Sequence, residues 1–202
     1  MEMYDFTDRV IAYFDKQLVR RYSTLKGLML LSPEEAVTIK NVNALYKELG
    51  ITARRMYLGI ARKTYESNLR TDANRMIDED WIDFWLTAYD PVAKYVYENE
   101  EDRKRARLIE ALMASQTRDK EIDAAMRSMS LMFHIFAVRI TDEALIQALK
   151  DNGDLTVRWC AEEDDRTCGV CMNRDGHVYP ISRLPTKPHI NCRCWVEPVS
   201  VL

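Results

Sequence analysis

The chain has few of the residues that break helices, and it lacks the motifs that mark several common enzyme classes. Six glycines and six prolines in 202 residues favour long helices over a turn-rich all-β fold. Neither a Walker A nor a G-x-G-x-x-G phosphate loop is present. The H-E-x-x-H zinc motif and the His-x-Glu run of zinc deaminases are missing as well. We therefore expect a protein without a catalytic site, not an enzyme.

Long apolar runs and a strong net charge are also missing. The most apolar run, residues 129–138, is too short to span a bilayer and contains His134, so we expect no membrane partner. A net charge of -3 provides no global attraction to nucleic acid. Residues 1–5 lack the basic and apolar regions of a secretory signal, which predicts folding in a reducing cytoplasm.

Helical patterns fill the first three quarters of the sequence. Apolar residues recur every three or four positions over residues 4–31, and a strongly apolar helix is predicted over residues 80–89. The cleanest pattern covers residues 119–150, where steps of four and three predict a seam that packs against another helix. The seam consists of Ile122, Met126, Met129, Phe133, Phe136 and Ile140.

Capping residues predict where the other helices begin and end. Ser32 fits an N-cap for a second helix, which we expect to end at Gly50. A third helix is predicted to begin near Thr52. The Asp90-Pro91 pair predicts the start of a further helix, because proline is favoured in the first helical turn.

Two of these helices carry candidate contact surfaces. The helix over residues 80–89 contains Trp81, Phe84 and Trp85, which are expected either to be buried or to dock on a partner. The next helix has an almost wholly charged middle, typical of a solvated helix turn. Its basic half is alternatively a contact for DNA phosphates or for an acidic partner. The basic residues concerned are Lys104, Arg105 and Arg107.

All five cysteines and two of the three histidines lie in the C-terminal quarter of the chain. Cys168 and Cys171 have the C-x-x-C spacing of a metal-binding knuckle. A second pair must then come from His189, Cys192 and Cys194. A structural zinc site has four ligands, so one of these three is spare. His189 with Cys192 is the favoured pair, and Cys192 with Cys194, on one face of an extended strand, is the other.

The pattern around these cysteines differs from that of the helices. Residues 157–161 alternate like a strand, Asp175-Gly176 is a hairpin turn signal, and residues 192–199 are predicted to form a last strand. So small a region needs a metal, because structural zinc supplies on the order of 10–16 kcal/mol to such folds. We predict a mainly α protein with an elongated multi-helix N-terminal body, residues 1–154. Residues 155–202 are predicted to form a small zinc-stapled C-terminal domain of α+β or β-hairpin type.

The C-terminal region contains an ordered series of motifs. They are Trp159, Asp165-Arg166-Thr167-Cys168-x-x-Cys171, Arg174-Asp175-Gly176-x-Val178-Tyr179-Pro180, Pro185, Pro188-His189 and Cys192-Arg193-Cys194. This series resembles the C-terminal signature of phage minor head proteins related to phage Mu protein F, also called phage head morphogenesis proteins. Upstream, Tyr89-Asp90-Pro91-Val92 and Glu101-x-x-Lys104-Arg105-Ala106-Arg107 are similar to the helical part of that family.

The resemblance implies a low-copy component of the phage head, found in the virion and assembled in the host cytoplasm. Its implied partners are the portal protein or the major capsid protein and, in some members, phage DNA. Because the first cysteine knuckle is present, a metal-bound C-terminal domain is implied too. The alternative function is a nucleic-acid-binding zinc module. Its candidate phosphate contacts are Arg166, Arg174, Arg183, Lys187 and Arg193, together with the basic residues around Arg105.

Overall fold

The computed structural model describes residues 4–31, 34–70, 77–85, 91–162, 164–189 and 192–199. It is mainly helical with a small antiparallel sheet near the C-terminus, which confirms the predicted fold class. The helices are α1 (Asp5–Leu31), α2 (Glu35–Asn68), α3 (Glu79–Phe84), α4 (Pro91–Ala114), α5 (Arg118–Asp151) and α6 (Gly169–Arg174). The strands are β1 (Thr156–Cys160), β2 (Val178–Pro180) and β3 (Trp195–Pro198), with a 3-10 turn at Ile181–Arg183.

Helices α1 to α5 form a helical body whose core is aromatic at its centre. Phe14 of α1 stacks on Phe133 of α5 with ring centroids 3.7 Å apart, and Tyr57 of α2 stacks on the same ring at 4.8 Å. The predicted seam of α5 faces this core. Its residues are buried except Met126, which is partly buried against the same cluster. The three-four periodicity therefore identified the packing face of α5 correctly.

The prediction that Gly50 ends the second helix is wrong. Helix α2 continues through Gly50 to Asn68, so the two predicted helices are one. Leu45 and Leu49 before the glycine, and Ala53 and Tyr57 after it, are all buried on the same helix. Burial of a continuous apolar face outweighs the cost of one helical glycine, which is about 1 kcal/mol. The predicted caps at Ser32 and Asp90 lie outside the described residues.

The structure also corrects one candidate contact residue. Trp85 is 2% exposed and meets the ring of Phe136 edge to face at 6.2 Å, so it is a core residue of the helical body. Trp81 is half-buried against the same core, whereas Phe84 is 58% exposed. A helix as short as α3 still has an inner and an outer face, and of these three aromatic side chains that of Phe84 is the most exposed.

The described residues from 155 onward form a C-terminal module around the sheet, whose strand order is β2-β1-β3. Val157 and Trp159 of β1 are buried and pack on Leu145 and Leu149 at the end of α5. The module therefore shares α5 with the helical body and obtains part of its core from it. Among the described residues, none of the helices combines the length and apolar character needed to cross a membrane.

The turn at Asp175-Gly176 is present, but it does not join two strands as predicted. It connects the short helix α6 to β2, and Gly176 has a φ of +71°, a conformation that favours glycine. The expected last strand is also shorter than predicted, since β3 begins only at Trp195. Helix α6 was missed because six residues are too few to show a helical period.

Candidate metal centre

Two short segments bring the five predicted donors together. Cys168 is the N-cap of α6 and Cys171 lies three residues further, so both face the same side of the first helical turn. Cys192 and Cys194 lie just before β3, and both are buried. The donor atoms form two sets, and within each set they lie within 4.8 Å of one another. Cys168, Cys171 and His189 are one set, and Cys171, Cys192 and Cys194 are the other.

The sulfur spacing suits a metal better than a disulfide. The sulfurs of Cys171 and Cys192 are 3.4 Å apart, and all five cysteines are free thiols. A disulfide bond measures about 2.05 Å. In a tetrahedral site with zinc–sulfur bonds of about 2.3 Å, neighbouring sulfurs are about 3.8 Å apart. Small side-chain adjustments would therefore place these thiolates on one ion.

The electrostatics of the thiols differ across the cluster. The backbone N–H of Cys171 donates to the sulfur of Cys168 and lowers the pKa of that thiol, with help from the N–H of Val170. Burial raises the pKa of Cys171, and the neighbouring thiols raise it further. Burial also raises the pKa of Cys192, which the backbone N–H of Cys194 partly opposes. Buried thiols of this kind need a cation beside them before they ionise.

The loop before Cys168 is organised by one carboxylate. Asp164 accepts hydrogen bonds from the backbone N–H and the guanidinium of Arg166, and the Thr167 hydroxyl lies 3.2 Å from it. Thr167 also donates to the carbonyl of Glu162. Arg193, between the two cysteines of the second segment, lies 3.6 Å from Glu162 and 3.7 Å from Asp164. These contacts join the two donor segments to each other.

Two further signature residues hold the sheet against the cluster. The carboxylate of Asp175 accepts a hydrogen bond of 2.7 Å from the backbone N–H of Ala161. The guanidinium of Arg174 lies 5.1 Å from the centre of the buried Trp159 ring and donates to the carbonyl of Thr186. Each of these side chains therefore has a contact within the module.

A buried polar group lies behind the cluster and was not predicted from the sequence. Lys187 forms an ion pair of 2.6 Å with Asp142 of α5, and Tyr4, just before α1, donates to the same carboxylate at 2.7 Å. Burial raises the pKa of Asp142, while the Lys187 ammonium opposes this shift. Burial and the neighbouring Asp142 raise the pKa of Tyr4 well above its ordinary value. Local periodicity contains no signal that pairs residue 4 with residues 142 and 187.

A cavity of about 600 Å³ lies between the cluster and helices α1 and α5. His134 of α5 lines this cavity, and its Nε2 lies 3.0 Å from Asp15. Ser130 donates to the other oxygen of Asp15 at 2.6 Å. In a catalytic triad the histidine uses one ring nitrogen for the acid and the other for the serine. In His134 the same nitrogen, Nε2, contacts both Asp15 and Ser130. These three side chains therefore form a hydrogen-bonded contact between α1 and α5.

The other predicted residues lie away from the cluster. Lys104 donates to Ser128, and Arg105 is paired with Asp102. Arg107 is exposed. Cys160 is half-buried on β1 outside both donor sets, and burial raises its pKa to about 11.

No protein-family model, curated protein or solved structure matches this chain. The family resemblance of the C-terminal motifs therefore stays a prediction.

Proposed function

We propose that this chain is a structural and assembly protein of a tailed-phage head, a minor capsid or head morphogenesis protein that docks on the portal or the capsid interior. The observation that supports this most is that two residues of the C-terminal motifs make contacts that stabilise the fold of the C-terminal module. Asp175 and Arg174 bind backbone and ring atoms of the C-terminal module around a buried thiol cluster. Residues used in this way build a fold, and their pattern resembles the C-terminal domain of phage head proteins.

We assign a structural Zn²⁺ ion to the cluster. Clustered sulfur and imidazole donors are the ligands that zinc prefers, and here they lie within 4.8 Å of one another in two sets that share Cys171. Burial favours Cys171, Cys192 and Cys194 as three of the four ligands, because each is at most 3% exposed. Cys168 is the fourth, since backbone N–H groups of α6 already stabilise its thiolate. His189 is then the spare donor, which differs from the pair that sequence spacing favours.

A structural rather than catalytic role is supported by the composition of the site. Four thiolates fill a tetrahedral shell and leave no open position for a substrate. Two imidazoles, those of His134 and His189, line the neighbouring cavity, and that of His134 is engaged by Asp15. We therefore propose a protein without enzymatic activity.

DNA binding is less well supported. Three of the candidate phosphate contacts already have acidic partners: Arg166 and Arg193 lie beside Asp164, and Lys187 beside Asp142. Phosphates would have to displace these carboxylates. Binding to DNA by such residues would weaken steeply with added salt. Retention on a DNA column in low salt, lost with a steep salt dependence, would favour this alternative.

Co-expression with the portal and major capsid proteins of the same phage genome tests the main proposal. We expect the chain to sediment with assembled heads in substoichiometric amounts. Phe84→Ala removes the most exposed aromatic side chain of α3 and is expected to reduce incorporation, while Tyr13→Ala, which removes a similarly exposed ring from α1, is the matched control. Heads that form fully and contain none of this chain would contradict the proposal.

A further inference from the structure

Three side chains from distant parts of the chain meet behind the metal centre: Tyr4, Asp142 and Lys187. We propose that they form a clamp that positions Cys192 and Cys194 for the metal and couples metal binding to the packing of the start of α1. This inference rests on the proposed metal centre. In it the three clamp residues are positioning residues, since none of them offers a donor atom to the ion.

The clamp reaches the metal ligands through their backbone. The ammonium of Lys187 donates to the carbonyl oxygen of Cys192 at 3.1 Å. The hydroxyl of Tyr4 lies 3.3 Å from the carbonyl oxygen of Cys194. Tyr4 has one hydroxyl hydrogen and donates it to Asp142 at 2.7 Å, so its contact with Cys194 is the weaker of the two. The hydrogen bond from Lys187 and this contact together restrict the rotation of the short segment that carries two thiols. A C-x-C pair binds one ion only when both sulfurs point to the same side.

The polar groups of the clamp satisfy one another. An ammonium has three donors, and Lys187 has three acceptors: Asp142 at 2.6 Å, Tyr4 at 2.9 Å and the Cys192 carbonyl at 3.1 Å. Its side chain is 18% exposed and that of Asp142 is 14% exposed. Buried networks of this kind are favourable only when every member has its partners. Each hydrogen of the ammonium therefore has an acceptor in this arrangement.

The other side of the clamp belongs to the helical body. One turn along α1, the hydroxyls of Thr7 and Thr141 are 2.7 Å apart and buried, so α1 and α5 are held together next to Tyr4 and Asp142. Coupling between two sites is reciprocal. If the clamp strengthens metal binding, bound metal must stabilise the first turn of α1 by the same factor.

Metal affinity of the full-length protein tests the clamp. Zn²⁺ binding is measured by competition with a chromophoric chelator for Tyr4→Phe and Lys187→Met, with a check of folding by circular dichroism. The matched controls are Tyr13→Phe and Lys16→Met, both at exposed positions on α1. We expect affinity to fall about 10-fold or more in Lys187→Met and less in Tyr4→Phe, because outer-shell changes typically cost 10–100-fold. The Co²⁺ absorption bands should shift in Lys187→Met, and the controls should match the wild type.

Hydrogen exchange supplies the reciprocal measurement. Removal of Zn²⁺ should lower the protection of the amides at residues 8–11, the first of which donates to the carbonyl of Tyr4, and should leave those around Phe14 protected. Wild-type protein that binds one Zn²⁺ ion while both variants bind it equally well would overturn the clamp alone. Wild-type protein that binds no Zn²⁺ would overturn the metal centre and the clamp together.

Discussion

The helical body and the C-terminal module are held together by different means. The body has a large apolar core, in which rings from α1, α2 and α5 stack and whole helix faces are buried. The module has three short strands, and three of its buried core residues are cysteines: Cys171, Cys192 and Cys194. Small sulfur side chains bury little apolar area, so burial alone stabilises the module less than the body. A metal ion is the most direct way to offset that difference.

The contact between the two regions is consistent with the smaller apolar core of the module. Leu145 and Leu149 extend the body's last helix into the core of the module. The module thus relies on α5 for apolar burial, and its Lys187 makes polar contacts with Tyr4 and Asp142 of the body. A region with a small core gains stability by packing on a larger neighbour.

The largest expected effect is loss of the metal. Cys171→Ser, or removal of Zn²⁺ by a chelator, should unfold the module and leave the helical body folded, since structural zinc contributes on the order of 10 kcal/mol. Limited proteolysis with mass spectrometry should find new cleavage sites after residue 155, while far-ultraviolet circular dichroism keeps its helical signal. Cys160→Ser, outside both donor sets, is the control. Resistance of the metal-free module to protease would contradict the claim that the module, unlike the helical body, needs a metal ion for its stability.

The choice of the fourth ligand gives the next largest effect. We expect Cys168→Ser to reduce Zn²⁺ affinity severely and His189→Ala to leave one ion bound per chain. The Co²⁺-substituted proteins distinguish the two cases, because sulfur-to-cobalt charge-transfer intensity increases with the number of thiolate ligands. Loss of binding in His189→Ala with retention in Cys168→Ser would assign the histidine instead.

Two neighbouring aromatic residues in the body should respond very differently. Trp85→Ala is expected to lower the free energy of unfolding by about 3–5 kcal/mol, because it leaves a cavity beside Phe136. Phe84→Ala should change it by no more than about 0.5 kcal/mol, since Phe84 is mostly exposed. Chemical denaturation followed by circular dichroism measures both. Similar losses in the two variants would place Phe84 in the core as well.

The smallest effects come from two glycines, one in each region. Gly50→Ala should raise the free energy of unfolding by about 0.5–1 kcal/mol, because alanine suits the interior of a continuous helix. Gly176→Ala should lower it by about 1–2 kcal/mol, because an alanine at a φ of +71° is strained. Thermal unfolding of both variants provides the measurement. Destabilisation by Gly50→Ala would indicate that α2 is interrupted there after all.

Features encoded in neighbouring residues were predictable from the sequence alone. The seam of α5 was identified because every third or fourth residue must be apolar for one helix face to be buried. The strand at β1 and the turn at Gly176 were found for similarly local reasons. The cysteines and the histidine of the cluster, which could hold a metal ion, were identified because a chelating pair needs short spacing.

Features that depend on distant residues required the folded structure. Continuity of α2 through Gly50 depends on the surface that α1 and α5 offer to it, and burial of Trp85 depends on Phe136. The contact between Tyr4 and Lys187 joins residues from opposite ends of the chain. Such contacts form because folding closes long loops around a shared core, and the free energy that selects them belongs to the packed whole rather than to any short stretch of sequence.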